Sequence, residues 1–202
     1  MSPRVGIDLP MILRASEEIA DAEGLESLTL SSLAHKLNVR PPSLYNHVNG
    51  LGDLRSRLAV HGGQLLIRDL TQAAVGRSGD DAVRAMAESY LAFARAHPGL
   101  HEAVQRVPDP QNQDWQQVGE NLVHLVMQVF RFYGLEGEAA IHAVRGFRSM
   151  IHGFSALERS GGFGMPIDIH VSYEFLIDTF LAGIRVTPGS PYYLKPTTKI
   201  LL

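Results

Sequence analysis

The sequence predicts an all-α protein of about nine helices, on three observations. Apolar residues recur at three- and four-residue steps along nearly the whole chain, and no segment alternates in the strand pattern. Breaks rich in Gly, Pro and Asn fall at helix-length intervals, at Asn38, Asn49-Gly50, 76–79, His97-Pro98-Gly99, Pro108-Asp109-Pro110, Gly134 and Gly161-Gly162. The 202 residues are 45% hydrophobic and 19% charged, with mean hydropathy -0.00, so the chain can bury a core.

A first helix is predicted over 9–22, where Leu9, Ile12, Leu13, Ser16, Ile19 and Ala20 share one face. Asp8 is placed to cap it, Pro10 sits in the tolerant first turn, and Gly24 can close it. Thr29 can cap a second, short helix whose Leu30, Leu33, Ala34 and Leu37 face inward. It stops at Asn38, a residue that tolerates the left-handed conformation of a tight turn. Pro41 and Pro42 open a third helix, because proline at the first helical position loses no hydrogen bond. It runs through Ser43-Leu44-Tyr45-Asn46-His47-Val48 and ends near Asn49-Gly50.

A longer connecting helix follows over 51–74, with Leu54, Leu58, Leu65, Leu66 and Leu70 on its buried side. Gly62-Gly63 in its middle has two readings, close approach of a neighbouring element or a flexible point. Further helices are predicted over 81–96, 98–107, 113–133, 138–159 and 170–185. Beyond residue 186, Pro188, Gly189, Pro191 and Pro196 interrupt all periodicity, which predicts a disordered tail over 187–202.

Composition excludes several classes. With no cysteine there is neither a disulfide framework nor a thiolate metal site. No apolar run approaches the ~20 residues of a membrane span, and no signal-peptide pattern opens the chain, so the expected location is the cytoplasm. The formal net charge of -3 argues, taken alone, against a nucleic-acid partner. Its distribution reverses that reading. Residues 1–26 carry Arg4 and Arg14 against six acidic side chains, whereas 27–75 carry Lys36, Arg40, Arg55, Arg57 and Arg68 against only Asp53 and Asp69.

That basic stretch contains two short helices joined by a tight turn, the second opening with polar residues and carrying an aromatic. This is the pattern of a helix-turn-helix, in which the first helix braces on the DNA backbone and the second enters the major groove. Leu33, Leu37, Val39 and Leu44 would fix the angle between the helices, leaving Arg40, Ser43, Asn46 and His47 to face DNA. The competing reading is an ordinary helical hairpin with Tyr45 packed in its core.

The run Leu30-Ser31-Ser32-Leu33-Ala34-His35-Lys36-Leu37-Asn38-Val39, followed by Pro42-Ser43-Leu44-Tyr45-Asn46-His47-Val48, resembles the signature of the TetR family of bacterial transcriptional regulators. The resemblance covers about residues 8–70. It implies a three-helix DNA-binding domain at 1–50 and a ligand-binding and dimerisation domain at 51–186, the protein acting as a homodimer on double-stranded operator DNA. Tyr45 would then reach a phosphate, while Ser31, Ser32, Pro41, Pro42, Ser43, Asn46 and His47 would lie at or near base edges. The family usually carries a lysine where Leu51 stands here, and a small capping residue where Arg40 stands. Arg40 is therefore expected to replace the lost cation, as a phosphate or guanine contact. Further on, Phe147-Arg148-Ser149-Met150-Ile151-His152-Gly153-Phe154 resembles the subgroup marked by Trp-His-Gly, with Ile151 in place of the tryptophan.

In the C-terminal part, Met86, Tyr90, Phe93, Trp115, Met127, Phe130, Phe147 and Met150 are the expected lining of a site for an apolar small-molecule effector, or else plain core. Ile141, Val144, Ile151, Phe154, Phe175, Leu176, Phe180 and Ile184 give the last two helices wide apolar faces, the expected dimer interface. No metal and no cofactor are expected, because Pro98 and Gly99 separate His97 from His101 and the other histidines form no ligand spacing. The chain has no Gly-x-Ser-x-Gly elbow, no phosphate-binding glycine loop and no His-Glu-x-x-His pair, so an enzyme is not expected. The reading that results is a ligand-responsive regulator, a repressor by resemblance. The alternative is a helical small-molecule-binding protein or enzyme with a vestigial helix-turn-helix.

Overall fold

The computed structural model describes residues 6–106 and 111–186, and within them it is all helical with no strand. The helices are α1 (Leu9–Glu23), α2 (Leu30–Lys36), α3 (Leu51–Ala74), α4 (Gly79–Ala96), α5 (Pro98–Gln105), α6 (Gln113–Phe130), α7 (Gly137–Arg159) and α8 (Ile169–Val186). A 3-10 helix at Pro41–Asn46 makes a ninth, and shorter 3-10 turns occupy Leu25–Ser27 and Arg131–Tyr133. The predicted tail at 187–202 and the break at 108–110 lie outside the described residues.

Local chemistry sets the ends of the first helices. The Asp8 carboxylate accepts from the Met11 N–H at 2.8 Å, satisfying a donor that the first turn leaves open. Gly24 closes α1 at φ 88°, where a side chain would be strained, and donates its N–H to the Ala20 carbonyl. Thr29 and Ser32 cap α2 reciprocally, each side chain serving the other's backbone N–H at 3.0 Å. Asn38 makes the turn at φ 53°.

The third helix departs from expectation. It is a 3-10 helix rather than an α-helix, with the Ser43 N–H on the Arg40 carbonyl and the His47 N–H on the Leu44 carbonyl, both at 2.9 Å. In a helix of only six residues the i→i+3 pattern already bonds its third residue, Ser43, whereas the α pattern would first bond its fourth.

Contacts divide the chain into two compact units. The first comprises residues up to Leu70 together with Ser89–Leu122, so the predicted domain boundary after residue 50 falls inside it. Its core includes Ile12, Ile19, Leu28, Leu33, Leu44, Leu54, Leu58 and Leu100, all buried. Glycines let its helices touch. A methyl added at Gly62 would lie 2.7 Å from Leu100 Cγ and 2.9 Å from Val104 Cγ2, and one at Gly63 would meet Val118. Close approach therefore accounts for the pair. Gly99 is tighter still, since a Cβ there would collide with the Ala20 carbonyl of α1.

The second unit comprises Thr71–Glu88 and the residues from Val123 onward. Its centre is an aromatic cluster in which Phe130, Phe147 and Phe180 stand 5.5–5.8 Å apart, centroid to centroid. Tyr173 is fully buried and donates its hydroxyl to the Ala87 carbonyl at 2.7 Å. Around the edge, Tyr133 donates to Asp80 at 2.8 Å, Arg185 pairs with Asp80, and Arg84 pairs with Asp178.

Candidate nucleic-acid interface

Leu44 and Val48 are buried and anchor the 3-10 helix against the head, which turns its remaining side chains outward. Arg40, Pro41, Pro42, Tyr45 and Asn46 are exposed, with Ser43 and His47 half-buried. Tyr45 is 59% exposed, which removes the reading of a hairpin with this ring in its core. Ser31 is exposed at the start of α2, but Ser32 is half-buried and its hydroxyl is engaged with Thr29 and the Ser27 carbonyl. That makes Ser32 a capping residue, a role the Thr-x-x-Ser spacing could have disclosed.

The cations that made this stretch basic are mostly neutralised within the fold. Lys36 pairs with Glu18 at 2.7 Å, Arg55 with Glu26 at 3.0 Å, Arg57 with Asp53 at 2.9 Å and Arg68 with Asp69 at 2.8 Å. Arg106 also reaches Glu26, and the two guanidiniums, Arg106 first, hold the Glu26 carboxyl below its ordinary range. Arg40 forms no ion pair among the described residues and stands at the N-cap of the recognition 3-10 helix.

The proposed effector residues fall in both units. Tyr90 and Phe93 are buried in the first, where Trp115 is half-buried; Met86, Phe130 and Phe147 are buried in the second, where Met127 and Met150 are half-buried. The Tyr90 hydroxyl lies 2.8 Å from Nε2 of the buried His101 and accepts from the Gln105 side chain at 3.3 Å. Clefts of about 300–360 Å³ in the second unit are lined by other residues, one of them by Val75, Ala82, Leu125, Val129 and Phe132.

Of the expected interface residues, Val144, Ile151, Phe154 and Ile184 are buried inside the chain's own second unit, Leu176 and Phe180 are half-buried, and Ile141 and Phe175 are exposed. The exposed apolar side chains near them are Leu157, Phe163, Met165, Ile167 and Val171. The helices α7 and α8 carry apolar residues beyond those they bury, Ile141 and Leu157 on α7 and Val171 and Phe175 on α8, and periodicity alone does not say which ones turn inward.

A helix-turn-helix head with an outward recognition edge, carried on an otherwise helical chain, defines the class of helical DNA-binding regulators. A family model described as the tetracyclin repressor-like C-terminal domain matches residues 83–180. The HTH-type transcriptional regulator YobS of Bacillus subtilis is 42% identical over 188 residues, covering 92% of this chain and 97% of YobS. The HTH-type regulator Rv0681 of Mycobacterium tuberculosis is 37% identical over 184 residues, covering 88% and 83%. The chain belongs to the TetR family of HTH-type transcriptional regulators. ActR of Streptomyces coelicolor, solved in complex with (S)-DNPA, shares the fold with a TM-score of 0.63 at 22% identity, covering 89% of this chain and 97% of ActR.

Proposed function

We propose that the protein is a repressor that binds a near-palindromic operator as a homodimer and leaves it when a small apolar molecule binds. The observation that carries the reading is the recognition edge. Arg40, Pro41, Pro42, Tyr45 and Asn46 project from a turn whose Leu44 and Val48 are locked in the head, and no fold requirement explains an aromatic ring held out in water there. Ser31, Ser43 and His47 complete the proposed DNA face, with Tyr45 and Arg40 on phosphate. A two-fold dimer offers identical heads to half-sites about 34–36 Å apart or a multiple, and occupancy of a promoter excludes polymerase.

The route from effector to head runs through α1 and α5 of the first unit. Asp21 of α1 accepts from the Gly99 and Leu100 N–H groups of α5 at 2.9 Å each, Gly99 lies against the Ala20 backbone, and Arg106 pairs with Glu26. Through these contacts a displacement of α5 would press directly on α1. An effector that repacks the surroundings of Tyr90 and Phe93 therefore shifts the head, with a coupling of typically ~1–3 kcal/mol that is reciprocal between sites. Binding by ActR of its ligand supports effector control in this chain. Acting on DNA, the protein works in the cytoplasm.

The test is retardation of the promoter fragment beside the protein's own coding region, at low and moderate salt, with excess unrelated DNA as competitor. Specific retardation that Tyr45→Ala with Asn46→Ala abolishes is expected. Retardation of neither this nor any neighbouring promoter would count against a DNA-binding role.

A further inference from the structure

The contact between α1 and α5 holds more chemistry than a helix cap needs. Glu17 and Asp21, four apart on one face of α1, both aim carboxylate oxygens at Nδ1 of His97, the N-cap residue of α5. His97 Nδ1 lies 3.0 Å from Asp21 Oδ2 and 3.3 Å from Glu17 Oε1, and one donor atom from each of the three residues lies within 4.8 Å of the others. We propose that Glu17, Asp21 and His97 bind a divalent first-row metal ion of the zinc type.

Three features support this. A tetrahedral ion with bonds of 2.0–2.2 Å separates its ligand atoms by roughly 3.3–3.5 Å, close to the spacing from Nδ1 to the two oxygens. The ligands are held from behind: Asp21 Oδ1 accepts from the Gly99 and Leu100 N–H groups, Glu17 Oε2 lies 3.2 Å from His61 Nε2, and the His97 ring packs on Phe93. The carboxylates are also short of positive charge. Among the described residues no Lys or Arg pairs with either, the imidazoles of His61 and His97 are their ion-pair partners, and a single proton on Nδ1 can serve only one of two carboxylates well. An ion between them serves both. The Glu17 and Asp21 side chains are 18% exposed and His97 35%, leaving room for water to complete the coordination.

One nitrogen and two oxygen donors suit Zn2+ and its neighbours, whereas Mg2+ prefers an all-oxygen set. No cysteine exists to strengthen the site. The expectation of no metal rested on His97 and His101, which Pro98 and Gly99 separate, whereas the carboxylates lie 76 and 80 positions upstream of His97. Such an ion would fasten the head to α5, and only that regulatory consequence rests on the proposed DNA-binding function.

The test uses the full-length protein stripped with a chelator, titrated with ZnCl2 by calorimetry and with Co2+ by visible absorption, without DNA, so its outcome is independent of the operator reading. About one Zn2+ per chain is expected, unaffected by millimolar Mg2+. Glu17→Gln and His97→Gln should each weaken binding by about tenfold or more, while His170→Gln, on α8, should not. Glu17 takes no part in capping α5, and circular dichroism melting confirms that each variant is folded. Absence of stoichiometric Zn2+ binding, or equal binding by folded Glu17→Gln and His97→Gln, overturns the site and leaves a histidine–carboxylate latch in its place.

Discussion

Within the proposed DNA face, Arg40 is the residue whose charge is open to test. With Lys36, Arg55, Arg57 and Arg68 each paired to a carboxylate, Arg40 is the cation of this stretch that is open to a phosphate without first breaking an ion pair. Arg40→Ala should therefore weaken operator binding and reduce the slope of log affinity against log salt by about 0.9, read by fluorescence anisotropy across a salt series. An unchanged slope means that Arg40 contacts no phosphate. Gly99 is a second residue whose role is set by space. Gly99→Ala forces a methyl into the Ala20 backbone, which cannot rotate away, and should cost about 1–3 kcal/mol in urea unfolding. Gly119→Ala is the contrast, because nothing lies within 4 Å of that added methyl in the interior of α6. It should stabilise by roughly 0.5–1 kcal/mol.

At the scale of elements, α7 carries a built-in pH response. His152 sits half-buried on it, and burial first, then the charges of Arg148 and Arg159, push its imidazole below the ordinary value. The unfolded chain therefore takes up this proton more readily than the folded one. Stability is full above about pH 6.5 and declines as pH falls below it. His152→Gln should flatten that decline in urea midpoints measured at pH 7.5 and 5.5; a parallel decline in the variant would assign it to other groups. Element ends were legible in the sequence because caps are local: Asp8, Thr29, Asn38 and Gly24 each act within a few residues. The 3-10 form of the recognition helix was less so, because Pro41-Pro42 is compatible with the start of either helix type. The link from His97 to Glu17 and Asp21 was invisible, since it joins α1 to α5 across a sequence distance that no periodicity spans.

At the scale of the whole molecule, the two helices expected to pair with a second copy also have to close their own core, and part of their apolar set is used up there. Val144, Ile151, Phe154 and Ile184 are buried in the chain's second unit, so a homodimer of the proposed kind would have to use the outer apolar positions. Leu157 at the end of α7, Phe163, Met165 and Ile167 in the following loop, and Val171 and Phe175 at the start of α8 remain exposed, Phe175 to 73% and Met165 to 75%. These large exposed apolar side chains, close together in sequence, are the candidates for the proposed dimer surface. If that surface is isologous, each residue on it meets its counterpart's neighbourhood twice per dimer, so one substitution acts at two places. Phe175→Asp should accordingly shift sedimentation from dimer to monomer while leaving the helical circular dichroism spectrum intact, because the side chain supports no buried packing within its own chain. Operator affinity should fall with it, since a monomer engages one half-site and loses the linkage between heads. A Phe175→Asp protein that still sediments as a dimer would move the interface to the face of α7 that includes Ile141.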